Sequence, residues 1–130
     1  MIVGIGLDVV ERARMSRILS GEASRRFVER ILTPGEIAIA DTLSPRRALE
    51  FVCGRFAAKE AVVKAIGCGI GAKVGFKDIE ILPDELGKPI CKLSPASIGR
   101  LDWEKRIYKL HVAITHERSL AAATAIIEEE

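Results

Sequence analysis

The chain has 130 residues, of which 48% are hydrophobic and 29% are charged, a composition that predicts one globular domain over residues 1–130 and excludes an intrinsically disordered protein. A formal net charge of only +2 gives no bulk electrostatic case for nucleic-acid binding, although it leaves room for a local basic patch. No segment approaches the ~18 consecutive apolar residues of a membrane span. The first residues form an apolar run without a basic leader, so we expect a cytoplasmic protein with no membrane partner.

The first predicted element is a strand at residues 2–10, because this stretch is apolar, β-branched and short. Helical spacing follows over residues 11–31, with a break near residue 20. The sequence TPGE at 33–36 begins a further helix, since a threonine is placed to cap it and a glutamate to reach back. A longer helix is predicted over 44–66, ended by the glycines that follow.

The second half of the chain predicts two hairpins and one more helix. Strands at 78–82 and 89–93 are joined by a turn, a helix covers 94–103, and a last pair of strands lies at 110–115 and 120–127. Neighbouring strands with short connections favour antiparallel pairing. The predicted class is therefore α+β, with an antiparallel sheet packed against the long helix and the shorter helices.

An acidic residue interrupts the apolar stripe of the long predicted helix. Successive residues advance about 100° around a helix, so one face carries Leu49, Val52, Cys53, Phe56 and Val63. Glu60 falls within that stripe, and a carboxylate directed at a core is costly unless a cation or metal meets it. Two interpretations remain open. Glu60 pairs with Lys64 on a solvated face, or Arg55, Lys59 and Lys64 mark a site for an anionic ligand.

A second acidic residue, Asp8, lies in the first predicted strand. Alternate residues of a strand share a face, which places Gly4, Gly6 and Asp8 on the same side. Two glycines beside an acid leave room for another group to approach the backbone closely. Asp8 alone is better explained as the end of the strand or a helix cap. Together with Glu60, however, it suits a magnesium ion that bridges phosphates.

Two segments resemble the signature motifs of the phosphopantetheinyl transferases, namely GIGLDVVE at residues 4–11 and RFAAKEAVVKA at 55–65. The similarity extends to GCGIG at 67–71, GKP at 87–89 and ITH at 114–116, and is greatest to the bacterial acyl-carrier-protein synthase type. Both motifs stand in the family's order and separation, in a chain of matching length. The resemblance implies the α+β fold of that family, assembled as a homotrimer with active sites between subunits.

The resemblance also implies the reaction. Members transfer the 4′-phosphopantetheine moiety of coenzyme A to a serine of apo-acyl carrier protein in fatty acid biosynthesis, use Mg²⁺, and release adenosine 3′,5′-bisphosphate. Asp8 and Glu60 match the metal ligands, and Glu60 and Lys64 match the catalytic positions. Lys64 would contact the phosphates and protonate the leaving group. The base for the serine stays open between Glu60 and a metal-bound water.

Further positions match the family's coenzyme A contacts. The expected cofactor-binding residues are Arg46, Arg47, Arg55, Lys64, Gly87, Lys88, Pro89 and His116. Cations in a first helical turn oppose the helix dipole, so a bound anion, here the 3′-phosphate, explains the first two arginines. The GKP turn is expected beside the adenine, although Leu86 stands where the family often has Asn. His116 is expected to support the phosphates without acting as a catalyst.

A local basic patch over residues 12–30 predicts an acidic partner, which the resemblance identifies as the carrier protein. The patch consists of Arg12, Arg14, Arg17, Arg25, Arg26 and Arg30. The residues expected to bind the partner are Arg14, Arg17, Arg25 and Phe27. Two alternatives to this function remain open. One is a non-catalytic nucleic-acid-binding module that uses the patch, and the other is a metal-dependent nucleotide pyrophosphatase.

Overall fold

The computed structural model describes the whole chain, residues 1–130. Its main sheet is antiparallel and has the strand order β1-β5-β4, with β1 at Ile2–Glu11, β4 at Tyr108–His116 and β5 at Leu120–Glu129. Strands β2, at Ile79–Pro83, and β3, at Pro89–Leu93, pair only with each other as a separate hairpin. The predicted α+β class and antiparallel pairing are confirmed, while the division into two sheets was not apparent from the sequence.

Five helices accompany the strands, and the chain caps most of them where the sequence predicts. They are α1 at Arg12–Ser20, α2 at Ser24–Ile31, α3 at Pro34–Ala40, α4 at Pro45–Ile66 and α5 at Pro95–Arg100. The Ser44 hydroxyl accepts a hydrogen bond from the Arg47 amide at the start of α4, and Gly67 ends that helix with a φ of 92°. Thr33 and Glu36 form the predicted capping box of α3.

The last helix is shorter than predicted. It was expected to run to residue 103, but it ends at Arg100 because Asp102 adopts a left-handed conformation with a φ of 57°. The amide of Trp103 then donates back to the Ile98 carbonyl at 3.0 Å. This turn stacks the indole on the Tyr108 ring, with 4.0 Å between the ring centroids, at the beginning of β4.

Strand β1 packs directly on the backbone of α4. A Cβ atom added at Gly4 would lie 2.0 Å from the Ala65 carbonyl oxygen, and one at Gly6 would lie 1.9 Å from the Ala61 carbonyl oxygen. The room that these glycines leave is therefore filled by the helix itself. Asp8 follows on the same face of β1, so this contact brings it to the C-terminal half of α4.

A buried ion pair joins α4 to the shorter helices. The Lys59 ammonium is fully buried and donates to Glu36 Oε1 at 2.6 Å, to the Ile31 carbonyl at 2.7 Å and to the Phe76 carbonyl at 3.1 Å. The Glu36 carboxylate also accepts the Thr33 and Ile81 amides, each at 2.8 Å. Burial lowers the pKa of Lys59, and the charge of Glu36 opposes that shift. Lys59 therefore belongs to the interior and is not one of the cations facing a ligand.

The three cysteines form no disulfide bond. All three thiols are free, Cys53 and Cys91 being buried and Cys68 exposed. Burial raises the pKa of the Cys91 thiol to about 12. No helix in the structure combines the length and the apolar character needed to cross a membrane.

Candidate active site

One cavity of about 370 Å³ contains both predicted metal ligands. Asp8 reaches it from β1 and Glu60 from α4, and the first two helices complete its wall. The other lining residues are Val9, Val10, Glu11, Arg14, Met15, Ile18, Phe27 and Phe56. The cavity thus unites the two predicted ligands with two of the four residues expected to bind the partner. Glu11 was not singled out from the sequence, although it closes the first motif three residues after Asp8.

Lys64 is bound to Asp8 and not to Glu60. Its Nζ atom donates to Asp8 Oδ1 at 2.9 Å and to the Leu7 carbonyl at 3.0 Å. The ion pair between Glu60 and Lys64 on one helix face, one of the two interpretations of the sequence, is absent. Instead, the lysine of α4 neutralises the carboxylate of β1, and its own side chain is 53% exposed.

The electrostatics of Glu60 suit a cation. Burial raises the pKa of Glu60, the nearby charge of Asp8 raises it further, and Lys64 lowers it in part. A carboxylate whose ionisation is disfavoured in this way is stabilised by a positive ion placed beside it. Magnesium prefers such oxygen donors and retains water or phosphate ligands beside them. Glu11 lines the same cavity, but it does not form with Asp8 and Glu60 a cluster able to hold a metal, so a substrate phosphate and waters would have to fill the remaining positions.

Arg46 and Arg47 lie in the first turn of α4, exposed and outside every ion pair of the structure. Arg55 differs from them, because its Nε atom donates to the Ile81 carbonyl at 3.1 Å and its guanidinium lies 4.2 Å from the centroid of the Phe51 ring. Burial lowers the pKa of Arg55. The two exposed arginines are thus free to bind an anion, while Arg55 is already held by its own chain.

His116 and the GKP turn lie outside the cavity that holds Asp8. A ring nitrogen of His116, Nε2, lies 2.8 Å from the Glu50 carbonyl, on the part of α4 where Gly54 makes room for the imidazole. Lys88 and Pro89 border a larger groove of about 690 Å³ between β3 and β4, which contains neither predicted metal ligand. One chain therefore does not bring all predicted coenzyme A contacts together.

The four residues predicted to bind a partner differ in their surroundings. Arg14 and Phe27 line the cavity, and the Phe27 ring stacks on Phe56 with 6.3 Å between centroids. Arg17 is exposed near the end of α1. Arg25, in contrast, forms two ion pairs of 3.2 Å each, with Glu29 and Asp41. These contacts, chiefly the one with Asp41, raise the pKa of Arg25 and neutralise its charge locally.

The comparison with known families agrees with the two motifs. The family model described as the 4′-phosphopantetheinyl transferase superfamily matches residues 4–125. The chain belongs to this superfamily. Within it, the resemblance to the holo-[acyl-carrier-protein] synthases is confirmed, and with it an enzyme of the phosphopantetheinyl transferase class.

Its relatives are similar over nearly their whole length. The holo-[acyl-carrier-protein] synthase of Geobacillus kaustophilus strain HTA426 is 49% identical over 98% of this chain and 90% of its own. The one from Bacillus cereus strain G9842 is 44% identical over 98% and 97% of the two chains.

Solved structures of this superfamily share the fold. The Bacillus anthracis synthase, in complex with CoA (3′,5′-ADP), aligns with a TM-score of 0.83 and 42% identity over 100% of this chain and 99% of its own. The Neisseria meningitidis synthase aligns with a TM-score of 0.87 and 34% identity over 98% and 99%. A third, from Helicobacter pylori, is a complex with coenzyme A and aligns with a TM-score of 0.81 and 30% identity over 95% and 99%.

Proposed function

We propose that the protein transfers the 4′-phosphopantetheine moiety of coenzyme A to a serine of apo-acyl carrier protein in the cytoplasm, for fatty acid biosynthesis. The observation that carries this proposal is the single cavity in which Asp8 and Glu60 stand beside Arg14 and Phe27. A site for a phosphate-bound cation adjoins a basic, partly aromatic docking surface there. The complexes of related synthases with coenzyme A support the choice of donor.

In this reaction, the serine oxygen forms a bond to the β-phosphorus of coenzyme A, and the bond from that phosphorus to the bridging oxygen breaks. Asp8 and Glu60 would hold Mg²⁺, which when bound neutralises pyrophosphate charge. Lys64, bound to Asp8, contacts the phosphates and gives a proton to the departing adenosine 3′,5′-bisphosphate. Either Glu60, which lines the cavity, or a water there takes the serine proton.

Coenzyme A would extend beyond the cavity. Arg46 and Arg47 are suited to its 3′-phosphate, because they add two unpaired cations to a helix N-terminus that already favours anions. Arg55, Gly87, Lys88, Pro89 and His116 remain proposed contacts for the rest of the cofactor. Since all five lie outside the cavity of their own chain, they suit a site that a second copy of the protein completes.

We infer on this basis a homotrimer with active sites between subunits. The face of β1 that points away from α4 supports it, because its alternate residues are apolar and exposed. These residues are Val3, Ile5, Leu7 and Val9. A contiguous exposed apolar strand face of this kind is typical of an interface between chains.

The substitution Ile5→Lys tests the proposed assembly. Ile5 is 68% exposed in the single chain, so the charge should leave the fold intact while it disrupts the contact between copies. We expect light scattering after size exclusion to give a trimer mass for the native protein and a monomer mass for this variant. Leu86→Lys, at the exposed tip of the β2–β3 hairpin, should remain a trimer. A monomeric native protein would contradict the assembly.

The substitution Arg14→Glu tests the docking surface. Reversing a charge beside the cavity should raise the KM for the acidic carrier protein by about tenfold or more, since complementary charge mainly governs encounter and specificity. The KM for coenzyme A should change little. Arg26→Glu serves as the matched control, because Arg26 belongs to the same basic patch but does not line the cavity. An equal effect of the two substitutions would contradict a specific role for Arg14.

The reaction itself is tested by incubating the protein with apo-acyl carrier protein, coenzyme A and Mg²⁺. We expect mass spectrometry to find phosphopantetheine on a serine of the carrier. Release of free phosphopantetheine without a carrier would favour the nucleotide pyrophosphatase. Binding of RNA or DNA without Mg²⁺, lost steeply as salt increases, would favour the nucleic-acid module. No mass gain, while an authentic transferase succeeds in parallel, overturns the proposal.

A further inference from the structure

The ammonium group of Lys64 is a cation already bound to the carboxylate that a metal ion would need. It lies 2.9 Å from Asp8 Oδ1, and it is also bound to the Leu7 carbonyl at 3.0 Å. The Asp8 side chain is only 17% exposed and lines the cavity that Glu60 shares, so a metal ion would reach its carboxylate from that cavity, close to the ammonium. Lys64 is itself half exposed and lies in the last turn of α4, so its flexible side chain can turn outward without unfolding the helix.

An ammonium and a divalent cation are unfavourable neighbours. If both were close to the same carboxylate, their repulsion in a partly buried cavity would oppose binding of the metal. The lysine also gives Asp8 a neutralising partner in the absence of metal, which removes part of the driving force for metal binding. An anion at the mouth of the cavity changes this balance, because it offers the ammonium a second partner of higher charge.

We propose that Lys64 acts as an internal counter-ion that keeps magnesium from binding productively at Asp8 until the pyrophosphate of coenzyme A draws its ammonium away. This inference rests on the proposed function and adds an order of events to it. The same side chain first neutralises Asp8 and then binds the phosphates. Metal and coenzyme A are therefore coupled through one lysine, and each tightens the binding of the other by the same factor.

The test compares the native protein with Lys64→Met, Lys64→Arg and the distant control Lys77→Met. Mn²⁺ serves as the probe for the divalent site, and its binding is followed by electron paramagnetic resonance with and without coenzyme A. Without coenzyme A, Lys64→Met should bind Mn²⁺ about tenfold more tightly than the native protein, because a competing positive charge is gone. Lys64→Arg, which keeps the charge, and Lys77→Met should resemble the native protein.

Coenzyme A should tighten Mn²⁺ binding strongly in the native protein and much less in Lys64→Met, although that variant is the better metal binder alone. The inference is overturned if Lys64→Met binds Mn²⁺ no more tightly than the native protein, including the case in which neither binds detectably without coenzyme A. Failure of the proposed function would give a different experimental result from failure of this inference. The metal affinities would then shift as expected, while no variant, nor the native protein, modifies the carrier.

Discussion

Replacing Asp8 with Asn, or Glu60 with Gln, is expected to lower the kcat of phosphopantetheine transfer by at least about 100-fold. Both substitutions keep the size of the side chain but remove one of two carboxylates that share the cavity. A neutral amide cannot neutralise a divalent cation, so the pyrophosphate charge would be left without its counter-charge. Steady-state rates with apo-acyl carrier protein, coenzyme A and Mg²⁺ measure the loss.

Two controls separate this loss from misfolding. Glu104→Gln changes an exposed carboxylate outside the cavity and should leave the rate unchanged. Thermal unfolding is measured for both site variants. Glu60→Gln should be at least as stable as the native protein, because burial and Asp8 disfavour the charged form of Glu60. Near-native turnover by either variant would remove that residue from the metal site.

The largest loss of stability is expected from Lys59→Met, at about 3–5 kcal/mol in the free energy of unfolding. The substitution preserves an apolar stem but leaves the Glu36 carboxylate buried without its cation. It also removes the ammonium that donates to the Ile31 and Phe76 carbonyls. These two hydrogen bonds hold the end of α2 and the turn before β2 against α4. Urea denaturation at a fixed protein concentration measures the change, since assembly of copies would add to the apparent stability.

The double variant Lys59→Met with Glu36→Gln shows whether the unpaired charge is the cause. The glutamine oxygen can still accept an amide of Thr33 or Ile81, but it carries no charge, so part of the lost stability should return. Lys77→Met, an exposed control, should change the free energy of unfolding by less than about 0.5 kcal/mol. A loss of that small size for Lys59→Met would show that the buried pair does not matter to the fold.

The sequence predicted the helices and strands because their local signals agree with the tertiary structure. Proline after a serine or threonine cap marked the starts of α3, α4 and α5, and Gly67 marked the end of α4. Alternation in β1 correctly placed Asp8 on the face of its two glycines. The sequence did not reveal that α4 occupies the space those glycines leave, since a missing Cβ tells only that something comes close.

The partners of the charged residues could not be predicted in the same way. Arg25, Lys59 and Lys64 look alike as cations in basic or mixed-charge segments. The fold gives the first a surface pair with Asp41, buries the second against Glu36 and turns the third to Asp8. Each of these three partners lies at least 16 residues away along the chain, beyond the reach of helical spacing, which accounts only for the second pair of Arg25, with Glu29. Such pairings depend on how the elements pack, and periodicity carries no information about them.

The contact between β1 and α4 has a consequence for how the protein tolerates change. Where side chains fill the space between two elements, their separation drifts as those side chains are exchanged over evolution. Here main chain touches main chain at Gly4 and Gly6, so the distance from Asp8 to the helix that carries Glu60 is fixed by peptide dimensions. Side chains elsewhere in the core can be exchanged and can repack without moving the Asp8 and Glu60 carboxylates apart. A single methyl group added at residue 6, in contrast, would push β1 away from α4 and separate the two carboxylates.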